Sequence, residues 1–346
     1  MVIHRSYFFA PYIFLRKKPT LNKNERGVFM CTALTYKSNS FYFGRNLDLD
    51  ISYGEEVTVM PRNFILPLKA LPDLESHYAL IGMAKNHGGY PLFFDAANEK
   101  GLCMAGLNFP HNAHYRKEEK DRINLAAYEV IPYILGTCAC VREVKDMADG
   151  LNITDTPFTE NLPSSPLHWI ISDKSGSLTL ESTDDGLKLY ENPWGVLTNN
   201  PPFSYHLMNM EHYAHLKESS TGRSLSVSAD PRSFSLGTGS FGLPGDFSSV
   251  SRFVRAAFIS QKVVKKETDE ESVSLFFRML SLLSIPEGCV MTGKGKSHFT
   301  RYSCCFDADK GIYYLSDYTD CQIRRYDIYS ADLDSGELLI FGKENI

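Results

Sequence analysis

The chain has 346 residues, 43% of them hydrophobic, with 22 Phe and 19 Tyr. That composition suits a large packed core and excludes a disordered or fibrous polypeptide. The net charge is −5, but residues 1–30 hold six Lys or Arg against one acid. The acidic remainder argues against a nucleic-acid partner, and no run reaches transmembrane length, so no membrane partner is expected.

Residues 1–30 show neither a period of 2 nor one of 3.6. Their apolar stretch is interrupted by Pro11, is followed by Arg16-Lys17-Lys18 and offers no small-residue cleavage site, so it does not read as an export signal. From Cys31 the pattern becomes regular. Cys31–Tyr36 and Ser40–Asn46 read as two strands joined by a turn at Lys37–Asn39. Further strands are expected at Val57–Pro61, Leu102–Leu107, Trp169–Ser172, Leu178–Ser182, Gly195–Thr198 and Gly311–Leu315.

Between them the apolar spacing predicts helices over Ile123–Leu135, with Pro132 as an end or kink, and over Val141–Gly150, Tyr205–Leu216, Ser249–Ser260 and Ser272–Leu283. Leu236–Gly245 reads as a loop. Hairpin strands with grouped helices suggest an α+β protein built on antiparallel sheets. The expected organisation is one domain over residues 31–346, preceded by an extension over residues 1–30.

Eight cysteines occur: Cys31, Cys103, Cys138, Cys140, Cys289, Cys304, Cys305 and Cys321. None forms a CxxC pair and no His cluster sits at zinc-ligand spacing, so no metal is expected. Most of them read as small buried apolar residues in a reducing cytoplasm.

One is different in context. Cys31 follows Met30, and removal of everything before Cys31 would place a thiol and an α-amine on one residue. An amine with a reference pKa of about 7.7–8.0 is partly neutral near pH 7 and can accept the thiol proton itself. His168, in Leu167–Asp173, reads instead as a buried structural residue of a strand and not as a partner of the cysteine.

The blocks C-T-A-L from Cys31 and F-G-R-N-L-D at Phe43–Asp48 come first. N-E-K-G-L-C-M-A-G-L-N-F-P at Asn98–Pro110, L-H-W-I-I-S-D at Leu167–Asp173 and G-V-L-T-N-N-P at Gly195–Pro201 follow. G-L-P-G-D-F-S-S-V-S-R-F at Gly242–Phe253 and Y-S-C-C with K-G-I-Y-Y at Tyr302–Tyr314 complete the set. In this order they resemble the choloylglycine hydrolases, which include bile salt hydrolases and penicillin V acylases. The resemblance runs across Cys31–Ile346 and implies a four-layer αββα sandwich of the N-terminal-nucleophile type.

The resemblance also implies roles. Cys31 is the nucleophile, Arg45 the neighbour whose charge favours its thiolate, and Asp48 the carboxylate that orients the α-amine. Asn199 is the oxyanion amide, Asn108 a second polar contact, and Arg252 the remaining active-site arginine. Leu47, Phe158, Leu162 and Asn200 match substrate-binding positions, with Phe158 bulkier than the aliphatic residue expected. Asn108 in A-G-L-N-F-P favours the bile salt branch over the penicillin branch.

The expected substrate is a conjugated bile salt, and no metal or organic cofactor is implied. The family further implies a homotetramer, with Pro201–Leu216 as part of an assembly surface. An inactive bile-acid-binding homologue is the reading of a different class. The mechanism needs Cys31 to be N-terminal, so Met30 is read as the true start, with a propeptide cut after Met30 as the competing reading.

Overall fold

A computed structural model describes residues 30–220, 236–293 and 295–342. The expected extension, apart from Met30, lies outside the described residues. In chain order the first strands are β1 (Met30–Lys37), β2 (Phe41–Leu49), β3 (Glu56–Met60), β4 (Leu80–His87), β5 (Tyr90–Asn98) and β6 (Cys103–Asn108). Next come β7 (Ile123–Ala126), β8 (Leu151–Thr154), β9 (Leu167–Asp173), β10 (Gly176–Thr183), β11 (Gly186–Glu191) and β12 (Val196–Leu197). The last are β13 (Val290–Met291), β14 (Ser297–Asp307), β15 (Ile312–Asp317), β16 (Arg324–Asp327) and β17 (Leu339–Phe341). The helices are α1 (Val130–Thr137), α2 (Val141–Ala148), α3 (Phe203–Met210), α4 (Ser249–Lys262) and α5 (Asp269–Ser281).

Two antiparallel sheets carry the fold. One runs β12-β1-β2-β14-β15-β16, with β13 appended to β14; the other runs β11-β10-β9-β6-β5-β4-β3-β17. Helices α4 and α5 pack on the outer face of the first sheet, and α1 and α2 on that of the second. This is the αββα sandwich expected from the resemblance.

Strand alternation builds the layers. On β6, Cys103, Ala105 and Leu107 point into the core between the sheets, while Leu102, just before it, and Met104 join the cluster under α1 and α2. Strand β2 is buried along its whole length, because α5 covers the face that the other sheet does not. Gly44 permits this cover: a Cβ there would lie 1.9 Å from the Cys304 carbonyl oxygen and 2.8 Å from the Phe276 ring.

The expected first hairpin is present, with β1 and β2 paired from Met30–Asp48 to Lys37–Phe41. The helix expected over Ile123–Leu135 is instead strand β7 followed by α1. Ile123 and Leu125 belong to a parallel pair with β8, and helix begins only at Val130. Pro132 then falls in the first helical turn, where its missing N–H costs no hydrogen bond. The expected Val141–Gly150 helix stops at Ala148 because Leu151–Thr154 is that partner strand. Helix α3 spans Phe203–Met210, with one 3-10 turn after it. Helix α5 starts earlier than expected: Thr268 caps it by accepting from the Glu271 N–H, and Asp269, Glu270 and Glu271 fill its first turn.

Candidate active site

Cys31 lies at the start of β1, 2% exposed, facing the other sheet. Its N–H donates to Asn199 Oδ1 at 2.8 Å. Asn199 is brought there by β12, which pairs with β1 through Ala33–Leu197 and Leu34–Val196. Gly195, at φ 60°, lets the two backbones meet; the Thr35 N–H donates to its carbonyl at 2.9 Å, and a Cβ there would lie 2.0 Å from Thr35 Oγ1. The Asn199 Nδ2 donates to the Asn108 carbonyl at 2.8 Å, so β6 is tied to the same point. An amide NH₂ has two hydrogens, and this bond uses one.

Arg252 is fully buried in the first turns of α4. Its Nη1 donates to the Cys31 carbonyl and, at 2.5 Å, to Thr32 Oγ1. Its Nη2 reaches Asn199 Oδ1 at 2.8 Å and its Nε the Phe247 carbonyl at 3.0 Å. The G-D-F-S-S-V-S-R sequence accounts for this placement. Ser248 caps the helix, and Asp246 accepts from the Ser248 N–H at 2.8 Å and from Ser251 Oγ at 2.5 Å. Hydrogen bonding from the Ser248 and Ser251 hydroxyls, then from the Ser248 N–H, lowers the Asp246 carboxyl to a pKa of about 2. Burial pulls the Arg252 pKa down, and the nearby Asp48 carboxylate opposes that.

Arg45 sits across from Ala33 on β2, also fully buried. Its Nη1 donates to the carbonyls of Phe94 at 3.0 Å and Gly106 at 2.7 Å, which fixes it between the sheets. Its Nη2 is buried with no hydrogen-bond partner among the described residues. Burial pushes the Cys31 thiol up from its ordinary pKa, while the positive charges of Arg45 and Arg252 and a hydrogen bond from the Asp48 backbone pull it down.

Asp48 pairs with Met30 in register and is fully buried. Thr300 Oγ1 donates to its Oδ1 at 2.6 Å, and its Oδ2 is buried without a partner among the described residues. Burial raises its pKa to about 6. An acceptor left open one residue from Cys31 suits an additional N–H donor, which a free α-amine has and a peptide nitrogen does not.

The structure thus gathers Cys31, Arg45, Asp48, Asn108, Asn199 and Arg252 around the start of β1. Leu47, directly across from Cys31, is buried between the sheets. Asn200 Nδ2 donates to the Pro110 carbonyl at 2.5 Å, which joins the two asparagine loops. Phe158 and Leu162 lie apart on one tight turn, where the Phe158 N–H donates to the Leu162 carbonyl at 3.0 Å. The Phe158 ring packs on His87, Tyr90 and Tyr128 with centroids 5.0–5.4 Å away; Leu162 is 37% exposed.

His168 is fully buried and bonded on both ring nitrogens, in keeping with its reading as a structural residue. Thr32, Thr300 and Ser249 were not singled out from the sequence. Each enters through register or helix placement, and a lone hydroxyl residue carries no signal of that. Among the described residues, no cluster of three His, Cys, Asp or Glu could hold a metal ion. A cavity of about 1010 Å³ opens elsewhere between the sheets, lined by Val57, Met83, Phe299, Arg301, Tyr302 and Leu315 among others, and Cys31 does not line it.

Comparison with known proteins bears on this arrangement. Residues 31–341 match the profile of linear amide C–N hydrolases, choloylglycine hydrolase family. A bile salt hydrolase/transferase of Lactiplantibacillus plantarum is 46% identical over 312 residues, 90% of this chain and 96% of that protein. A bile salt hydrolase/transferase of Clostridium perfringens is 37% identical over 89% of this chain and 95% of that protein. A solved conjugated bile acid hydrolase from Clostridium perfringens superposes with a TM-score of 0.84 at 34% identity, covering 91% of this chain and 97% of that one. A penicillin V acylase from Agrobacterium tumefaciens shares the fold, with a TM-score of 0.72 at 22% identity over 90% of this chain and 91% of that one.

Proposed function

The chain belongs to the choloylglycine hydrolase family of linear amide C–N hydrolases, and from that premise we propose that it hydrolyses glycine- or taurine-conjugated bile salts with Cys31 as nucleophile. The observation that carries this reading is the buried ring around Cys31. Asn199 holds its nitrogen, Arg252 its carbonyl, and Asp48 has an oxygen to spare.

In the proposed reaction the free α-amine of Cys31 takes the thiol proton, and the sulfur attacks the amide carbonyl carbon. The second N–H of Asn199 Nδ2 donates to the developing oxyanion, an interaction worth about 3–4 kcal/mol in comparable sites. The C–N bond breaks, the amino acid leaves with a proton from the ammonium, and a thioester remains on Cys31. Water activated by the same amine then releases the bile acid.

This chemistry requires a working chain that begins at Cys31, because a peptide nitrogen cannot act as a base. The family match starting at residue 31 and the open Asp48 oxygen support that start. Leu47, Phe158, Leu162 and Asn200 are assigned to substrate binding on the strength of the resemblance. A homotetramer is the assembly proposed. It is supported by the exposed Met208 on α3 and by Leu236 and Phe241 in the loop beyond it. A cytoplasmic location is proposed on the same family basis and on the eight free cysteines.

The test compares glycocholate with penicillin V, using protein that starts at Cys31 and its Cys31→Ala variant. Release of glycine by the first and not by the second is the expected result. Equal rates for the two proteins would remove Cys31 from the mechanism, and preferential cleavage of penicillin V would move the chain to the acylase branch. Bile acid binding without cleavage would favour the inactive homologue.

A further inference from the structure

Asn199 meets Cys31 and Arg252 through its side chain, so its backbone must be held in one place. Among the described residues no backbone–backbone hydrogen bond does this. The Asn199 N–H donates to Ser249 Oγ at 2.8 Å. The Asn199 carbonyl accepts from His206 Nε2 at 3.2 Å. The carbonyl of the preceding residue, Thr198, accepts from His168 Nε2 at 3.1 Å. Three side chains from β9, α3 and α4 therefore suspend the dipeptide that carries the asparagine.

His168 is the most deeply tied of the three. Its Nδ1 lies 2.9 Å from Glu181 Oε1 on the neighbouring strand β10. The Glu181 carboxylate also accepts from the Phe203 N–H, at 3.0 and 3.2 Å, which is the first residue of α3. Both ring nitrogens have a hydrogen-bond partner, which fixes the orientation of the ring. Histidine and glutamate are each fully buried, and the Phe109 ring stacks on the imidazole at 4.3 Å and 5°. Phe109 directly follows Asn108, whose carbonyl takes the Asn199 amide.

Two buried ionisable groups cost stability unless they are paired and hydrogen-bonded. Here the bonds run to the two ends of the 198–203 segment: Thr198 at one, Phe203 at the other. Between them lie Asn199 and Asn200. His206, whose pKa burial lowers to about 4, reaches back from α3 to the same segment as a neutral donor.

We propose that His168 and Glu181 are positioning residues that clamp the 198–203 segment and thereby aim the Asn199 amide at Cys31. Neither touches the reacting atoms. The inference rests on the reading of Asn199 as a working residue of the Cys31 site, and a misplacement of about 1 Å in such a group costs on the order of 100-fold in rate.

The test uses protein beginning at Cys31 and the variants His168→Ala and His168→Gln. Glutamine can still donate an amide N–H toward the Thr198 carbonyl. Steady-state glycocholate hydrolysis is measured beside amide hydrogen exchange of residues 196–203. For His168→Ala, kcat is expected to fall about 100-fold with KM within about threefold. Exchange in 196–203 is expected to quicken at least about tenfold while β1 stays protected. His168→Gln should regain at least about tenfold of the lost kcat.

A folded His168→Ala protein with wild-type kcat and unchanged exchange would overturn the proposal. So would a His168→Gln protein, the variant more certain to fold, that loses as much kcat as an Asn199→Ala control. If wild-type protein fails to cleave glycocholate, the functional reading falls, and the exchange comparison alone then decides whether the clamp exists.

Discussion

Cys31 and Asn199 are 168 residues apart in sequence, and a single hydrogen bond of 2.8 Å joins the backbone nitrogen of one to the side-chain oxygen of the other. That bond marks the nitrogen, not only the sulfur, as a group with a defined position. The same oxygen accepts from Arg252, which also grips the Cys31 carbonyl. The cysteine backbone is therefore fixed on both sides before any substrate arrives. Catalysis by a residue's own amine needs that, because the proton donor and acceptor share one backbone.

Arg252 should not be replaceable by lysine. Its planar fork bonds Cys31, Thr32 and Asn199 at once, and an ammonium cannot reproduce three fixed directions. Arg252→Lys is expected to lower kcat for glycocholate about 100-fold with little change in KM. Steady-state kinetics would show it, and a rate within threefold of wild type would contradict the assignment.

The role proposed for Arg45 is to tune the thiol through its charge. Burial raises the Cys31 pKa, and Arg45 is the largest influence opposing it. Arg45→Gln is therefore expected to move the pH midpoint of Cys31 alkylation by iodoacetamide upward. A midpoint that stays or falls would mean that the guanidinium does not act on the sulfur.

Asp48 yields a stability prediction for the chain with its Met30–Cys31 bond intact. Its folded-state pKa of about 6 lies above the reference 3.8. The native state therefore holds the proton more tightly than the unfolded state does, and ionised Asp48 costs stability above about pH 6. The cost fades as pH falls from about 6 to about 4. At full ionisation it amounts to about 3 kcal/mol. Asp48→Asn should raise Tm at pH 7.5, with the two proteins converging near pH 4. In protein beginning at Cys31 the ammonium offers Asp48 a cationic partner, and the gain should shrink. Thermal melts of both forms across that range would check the sign.

Gly44 is required by packing and not by conformation. A Cβ would meet the Cys304 carbonyl at 1.9 Å, a backbone atom of the paired strand that cannot step aside. Gly44→Ala is expected to cost about 3 kcal/mol or more. Denaturant unfolding measures this, and a loss below about 1 kcal/mol would show that the β2–β14 pair yields more easily than its packing implies.

Much of this was legible in the sequence where a short segment carries its own signal. The β1–β2 hairpin announced itself by strand propensity around the Lys37–Asn39 turn, and α4 by the apolar spacing over Ser249–Ser260. Strands β4 and β5 were passed over because each is buried on both faces and shows no clean alternation. The Gly88-Gly89 pair between them was the available cue. Ile123–Ala126 was read as helix because four residues of strand cannot be told from a helical turn by spacing alone.

In the site, Cys31, Arg45, Asp48, Asn199 and Arg252 were read from ordered motifs, and strand register together with the placement of α4 brings them to one place. Glu181 was not found. A glutamate in a strand reads as a solvent-facing residue, and only the pairing of β10 with β9 places it beside His168.

The central claim is that the Cys31 nitrogen is a free amine in the working enzyme. Its most direct test is the rate of glycocholate hydrolysis by two proteins of verified intact mass, one beginning at Cys31 and one retaining every residue from Met1. The account predicts turnover by the first, with a hydroxylamine-sensitive acyl adduct on Cys31, and none by the second. Equal turnover by a chain whose Cys31 nitrogen remains in a peptide bond would contradict it.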